Sequence, residues 1–291
     1  MAQPDLASLV GRTRKHHLLI RFDQRGGGLS DWAVDDVSLE THISGIECVV
    51  DAVGIDQFAL LGISQGAVMA AAYTARHQDK VSQLILYGSY SAGAAKMPET
   101  DEAREEREAR AILIRRGWGR DDPTYRQMFT SAFIPDATSG QMDWFNELQR
   151  VSISAESAYQ IITTNFHLDV RDELPDIQVP TLVLHSRGDR QINFDRGRLV
   201  AAMIPNAEFV PLESNNHLLL ESEPAWPRFL AEVRRFLGVV PDVDSSVAEP
   251  PAEPSPIPTQ NRKGLGSDIF ISYVEEDSSV ATQIGDGLEA A

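Results

Sequence analysis

The stretch Phe58-Ala59-Leu60-Leu61-Gly62-Ile63-Ser64-Gln65-Gly66, continuing into Ala67-Val68-Met69-Ala70-Ala71-Ala72-Tyr73, constrains the fold more than any other part of the chain. The apolar run reads as a fully buried strand. Ala67 to Tyr73 is a good helix former. Between them lies G-x-S-x-G. A sharp strand-to-helix turn brings backbone close on either side of the serine, and the two glycines leave room for it. The turn holds Ser64 in a strained conformation with its hydroxyl free at the end of the strand, the geometry of a nucleophile elbow. Strands near 17–23, 57–62, 82–88, 181–186 and 207–212 alternate with helices near 38–53, 65–77 and 224–237. That alternation predicts an α/β architecture with a mainly parallel sheet.

Two further strand ends carry chemistry. Thr181-Leu182-Val183-Leu184-His185 is a buried-type strand behind Pro180, closed by Ser186-Arg187-Gly188-Asp189. Ala207 to Leu212 precedes Glu213-Ser214-Asn215-Asn216-His217. Open parallel sheets place their ligands outside the carboxyl ends of the strands. Ser64, Asp189 and His217 therefore share one rim, in the order Ser, Asp, His. Alone, Asp189 reads as a turn residue after Gly188, and His217 as a loop histidine. Together they read as a triad. His217 would take the Ser64 proton, and Asp189 would hold the imidazole tautomer and stabilise the imidazolium. The backbone N–H of Gln65, at a helix N-terminus, would supply an oxyanion donor. His16, His17, His42, His77, His167 and His185 lack comparable placement and read as structural or surface residues.

The 291 residues carry a formal net charge of −17, which argues against a nucleic-acid groove. No apolar run reaches membrane-spanning length, and Met1 to Arg14 has no apolar core of a signal peptide. The single cysteine, Cys48, excludes an internal disulfide and a cysteine metal cluster. Its place on an amphipathic helix predicts core packing rather than reactivity. These features point to the cytoplasm, with no cofactor and no metal. Glu102 to Arg116 is helical and charge-rich, and the mixed charge run 99–110 is most simply a solvated helix face. Trp118, Tyr125, Phe129, Phe133, Trp144, Phe145, Tyr159 and Phe166 cluster after it. Residues 239–266, with Pro241, Pro250, Pro251, Pro254, Pro256 and Pro258, form a disordered-type linker that cannot bury enough apolar area to fold.

From about Pro4 to Leu237 the chain resembles the α/β-hydrolase family. Arg21-Phe22-Asp23-Gln24-Arg25-Gly26-Gly27-Gly28-Leu29-Ser30-Asp31 is similar to that family's D-x-R-G-x-G-x-S-D strand and loop. Leu184 to Asp189 resembles its acid strand, and Asn216-His217 with Glu221-Ser222-Glu223-Pro224 its histidine loop and last helix. Gln127 to Pro135 and Met142 to Glu147 look like a bacterial subgroup joined to signalling outputs. The resemblance implies a hydrolase domain over 1–238, with a helical lid at about 90–179. The clustered aromatics would be its core, some lining a pocket for a largely apolar substrate. Ser267-Asp268-Ile269-Phe270-Ile271-Ser272-Tyr273, then Glu275-Glu276-Asp277 and a helix-like Val280 to Ala290, resembles the opening of a Toll/interleukin-1 receptor (TIR) domain. Residues 267–291 would be a truncated start of one, and a complete TIR domain would imply self-association. The segment lacks the part that would carry that family's NAD-cleaving glutamate.

The resemblance also implies an N-terminal truncation. The family has three strands ahead of the one at His17 to Asp23. The third normally lies between that strand and Phe58–Leu61, and its following loop supplies the second oxyanion donor. Its loss predicts a gap or a rearranged sheet, because an unpaired central strand exposes backbone groups. The leading functional expectation is a serine hydrolase acting on carboxylic-ester-type bonds, with a small ester-like molecule as its partner. The alternative is a small-molecule sensor coupled to a TIR-type output, with weak or no catalysis. A third reading is an unstable product with no function. Dehalogenases and epoxide hydrolases of this fold would carry Asp at position 64.

Overall fold

The computed structural model describes residues 19–238 and the backbone of 268–272. Six parallel strands form one sheet: β1 (Leu19–Arg21), β2 (Phe58–Ile63), β3 (Val81–Tyr87), β4 (Thr181–Ser186), β5 (Glu208–Leu212) and β6 (Asp268–Ser272). Their spatial order is β1-β6-β2-β3-β4-β5. Eight α-helices accompany them among the described residues: α1 (Leu39–Val53), α2 (Gln65–Arg76), α3 (Asp101–Gly117), α4 (Thr124–Phe133), α5 (Ser139–Ser152), α6 (Ala155–Asn165), α7 (Phe194–Met203) and α8 (Ala225–Phe236).

Alternation along the strands divides the core in two. Phe58, Leu60, Leu84, Leu86 and Val183 pack on one face with Ile43, Ile46 and Val50 of α1, the body of α2, and Val200 of α7. Ala59, Leu61, Ile85, Tyr87, Leu182 and Leu184 face the other way, against Trp226, Phe229, Leu230 and Val233 of α8. Successive side chains of a strand point to opposite faces, so strands buried on both faces are apolar throughout, as β2 and β4 are. Helix boundaries follow local chemistry. Ser38 caps α1 through Thr41 N–H, and Gly54 ends it at φ 69°. Thr138 and Gln141 form a capping box at α5.

The gap expected beside β2 is filled. Asp268–Ser272, read in the sequence as the opening strand of the TIR-like segment, pairs in parallel with β2 from Phe58↔Asp268 to Gly62↔Ser272. On its other side it pairs with β1 from Leu19↔Ile269 to Arg21↔Ile271. The side of β2 facing away from β3 and the inner side of β1 are thereby hydrogen-bonded. The Pro4–Arg14 helix, the 239–266 linker and the 280–290 helix lie outside the described residues.

Cys48 corrects the sequence reading. It is exposed, because the buried face of α1 is built from His42, Ile43, Ile46 and Val50. The lid is formed by α3 to α6, inserted between β3 and β4. Its core joins Ile114, Trp118, Phe129, Ile153, Ala158 and Ile161. Arg126, 1 % exposed, knits it by donating to the carbonyls of Trp118, Arg120, Asp121 and Asn146. The glycine-rich loop after β1 ties the body to the lid: Gly28 N–H donates to Ser152 O at 2.7 Å.

Candidate active site

Ser64 stands between β2 and α2 at φ 55° and ψ −121°. A positive φ on a residue with a Cβ is strained and persists only where surrounding structure imposes it. Two constraints impose it here. Ser64 N–H donates to Tyr87 O on β3 at 2.8 Å, and Ser64 O accepts from Ala67 N–H at 3.1 Å. The start of α2 passes directly over Gly62, where a Cβ would lie 2.5 Å from Gly66 O and 2.6 Å from Ala67 Cα. Glycine at 62 is thus a steric requirement of the turn.

Asp189 and His217 come together from separate loops. Gly188 N–H donates to Ser214 O at 2.9 Å, stitching the acid loop to the histidine loop. Asp189 Oδ1 accepts from the N–H groups of Gln191 and Ile192, each at 2.8 Å. Asp189 Oδ2 accepts from His217 Nδ1 at 2.6 Å. Burial works against ionisation of Asp189. The His217 charge, hydrogen bonds from His185 and His217, and the Ile192 N–H outweigh it and hold the carboxyl well below the usual carboxylate range.

His217 is fully buried, and its Nε2 has no hydrogen-bond partner. With Nδ1–H committed to Asp189, Nε2 is the basic nitrogen of the neutral ring. The ring is wedged between two contacts. Phe133 at the end of α4 meets it edge to face at 5.1 Å and accepts its backbone N–H at 2.7 Å. Gly88, at φ +61°, lies against it so closely that a Cβ there would be 2.9 Å from His217 Cε1. Ser64 and His217 therefore flank the same corner, Tyr87–Gly88. The Ser64 hydroxyl makes no hydrogen bond among the described residues.

A cavity of about 230 Å³ opens beside Ser64 and Gln65 under the lid. Trp118, Phe129, Phe133 and Phe166, from the aromatic cluster, line it with Ile153, Ile161 and Ile192. Trp144 and Phe145 instead line a smaller cavity with Trp226 and Phe229.

Sequence reasoning missed three features of this site. His185 is buried with its Nε2 3.4 Å from Asp189 Oδ2, and it donates to Ile192 O at 2.9 Å. Its inward position on β4 was the available signal. Arg110 and Arg196 line the cavity from α3 and α7. The Gln65 side chain, 3 % exposed, leaves both polar atoms unpartnered at the cavity wall.

The comparisons agree with this architecture. The family model described as alpha/beta hydrolase fold matches residues 3–224. The chain is similar to the AB hydrolase superfamily protein YisY of Bacillus subtilis, 28% identical over 203 residues, covering 68% of this chain and 74% of the relative. It is also similar to a 2-hydroxy-6-oxononadienedioate/2-hydroxy-6-oxononatrienedioate hydrolase of Paraburkholderia phymatum, 27% identical, covering 66% of this chain and 67% of that protein. Among solved structures, an esterase from Exiguobacterium antarcticum superposes with a TM-score of 0.63 at 25% identity, over 74% of this chain and 79% of that one. With its parallel sheet, strand-to-helix serine turn and lid insertion, the chain belongs to the alpha/beta hydrolase fold family.

Proposed function

We propose that this chain is a serine hydrolase acting on carboxylic-ester-type bonds of a small, largely apolar molecule. The observation that carries the reading is the buried Asp189–His217 pair, whose free Nε2 flanks the Tyr87–Gly88 corner opposite a strained Ser64. In the proposed reaction, His217 Nε2 removes the Ser64 proton as Oγ attacks the ester carbonyl carbon. The oxyanion forms at the N-terminus of α2, where the Gln65 N–H donates to it. Asp189 stabilises the imidazolium, which then protonates the leaving alkoxide. Water, deprotonated by His217, then attacks the acyl-enzyme carbonyl carbon; the bond to Ser64 Oγ breaks, the acid leaves, and the His217 imidazolium returns the proton to Ser64 Oγ. The hydrolase names of the relatives support hydrolysis, and the esterase from Exiguobacterium antarcticum supports the bond class.

The test is labelling of the 291-residue chain by a fluorophosphonate, with the adduct located by peptide mass spectrometry. The reading predicts an adduct on Ser64 that is lost in His217→Ala, and short 4-nitrophenyl esters turned over by the parent but not by Ser64→Ala. Equal ester turnover by parent and Ser64→Ala would sink it. The sensor alternative draws on the resemblance of 267–291, of which Asp268–Ser272 pairs inside the hydrolase sheet.

A further inference from the structure

The chain is rich in carboxylates, with 43 Asp and Glu against 26 Lys and Arg. Many of its arginines find acidic partners, among them Arg76 with Glu40 and Glu173, Arg115 with Glu156, Arg187 with Glu213, and Arg235 with Glu208. Arg110 and Arg196 do not. Neither forms a salt bridge among the described residues, although both are half-buried at the wall of the same largely apolar cavity. Burial disfavours the charged form of both, and no carboxylate offsets it. A cation left in such a place without a counter-ion costs free energy that a protein normally avoids.

Their contacts leave most donors unused. Arg110 Nη2 donates to Gln191 Oε1 at 2.9 Å, and its guanidinium carbon lies 4.7 Å over the Phe129 ring. Arg196 Nη2 donates to Ala92 O, and its guanidinium carbon lies 5.3 Å over Tyr90. A guanidinium has five N–H groups in a rigid fork. Each of these cations is oriented by one hydrogen bond and one aromatic face, and keeps the rest of its fork. Arg126 shows what a structural arginine looks like in this fold, with its donors spent on four backbone carbonyls. A second observation points the same way. The side-chain amide of Gln65 and Oδ1 of Asn165 line the same cavity, buried and unpartnered. Buried polar atoms without partners are rare and call for a polar group in the space they face.

We infer that the cavity beside Ser64 binds substrates bearing a carboxylate, whose oxygens Arg110 and Arg196 receive while the rest of the molecule lies on the apolar wall. The inference rests on Ser64 as the nucleophile and changes the substrate from a neutral apolar ester to the half-ester of a dicarboxylic acid. Arginine suits the role because its planar fork matches a carboxylate bidentately, and the low-dielectric wall strengthens the pairing. Arg110 also leans on the acid loop. The Gln191 that orients Arg110 donates its own N–H to Asp189, so anion site and triad share one scaffold.

The test compares kcat/KM for mono-4-nitrophenyl adipate with that for 4-nitrophenyl hexanoate, equal in length and differing in the terminal charge. The expected ratio for the parent chain is tenfold or more in favour of the adipate. It should fall by tenfold or more in Arg110→Gln and in Arg196→Gln, and by less in Arg196→Lys. Arg198→Gln, an exposed neighbour paired with Asp195, should keep it. A ratio near one in the parent, or an undiminished ratio in both glutamine variants, overturns the inference. Calorimetric titration of the Ser64→Ala chain with hexanoate and with hexanol separates it from the hydrolase reading. Arginine-dependent preference for hexanoate without any ester turnover would keep the anion site and remove the hydrolase. Ester turnover with no preference for charge would do the reverse.

Discussion

Removing β6 is the most severe test of the architecture, because the strand lies between β1 and the strand that carries Ser64. It meets β2 across five residue pairs and β1 across three. A parallel ladder forms roughly one hydrogen bond per paired residue, so about eight backbone bonds are at stake. At about 1 kcal/mol net each, their loss approaches 8 kcal/mol, against about 5–15 kcal/mol of total stability for a typical domain. Closing the gap by sliding β1 onto β2 requires a shift of about 4.8 Å, one inter-strand spacing. That shift would break the tie between Gly28 N–H and Ser152 O that holds the following loop to the lid. A chain ending at Gly266 should therefore show no cooperative melt near that of the parent, and fluorophosphonate labelling of Ser64 should be lost. A milder version is Phe270→Pro, which removes one donor from a central strand and leaves its carbonyl partner unsatisfied, at a cost of up to about 3 kcal/mol. For a body of this size that corresponds to a fall in Tm of about 6–12 °C. Calorimetry and labelling rates read both variants. A shortened chain that melts within a degree or two of the parent and labels at the same rate would refute the reasoning outright.

Gly88→Ala should place a methyl against His217 and force a side chain into positive φ. We expect at least a tenfold loss in kcat, with about 1–2 kcal/mol of stability lost to the backbone strain, checked by steady-state kinetics and urea melts. His42 is buried, and burial lowers its pKa to about 4 from 6.5, with Asp36 raising it and Arg25 lowering it by smaller amounts. The unfolded chain thus takes up this proton first. Stability should decline by about 3 kcal/mol as pH falls from 6.5 to 4, and His42→Leu should flatten that decline in melts across the range. Arg126→Met would strip four lid carbonyls of their donor. It should cost about 3 kcal/mol or more, read as faster amide exchange in α4 and α5 than in the sheet.

What the sequence determined by itself was local. Apolar runs located β2 and β4, because a strand buried on both faces has no other composition, and β3 and the edge strand β5 were located beside them. The glycine pair around Ser64 marked the elbow, because backbone crosses at Gly62 with no room for a Cβ. The acid and histidine loops were legible as strand ends. Their pairing was expected from the order Ser, Asp, His; the stitch from Gly188 N–H to Ser214 O that holds the two loops together was not, because a backbone bond between loops carries no residue code. Helix α7 also escaped notice, its apolar face being short and broken by Arg196 and Arg198. Cys48 went the other way, since four inward residues already fill the face of α1 that meets the core. Only the tertiary structure decided the neighbour of β2. Strand pairing joins segments from opposite ends of the chain by backbone hydrogen bonds that carry no residue code, so nothing in Asp268–Ser272 names its place between β1 and β2. The same holds for Arg110 and Arg196. Arg110 reads in sequence as one more charge on a solvated helix and Arg196 as one more charge outside any recognised element, and only the closing of α3 and α7 over one cavity leaves both without an acid to face.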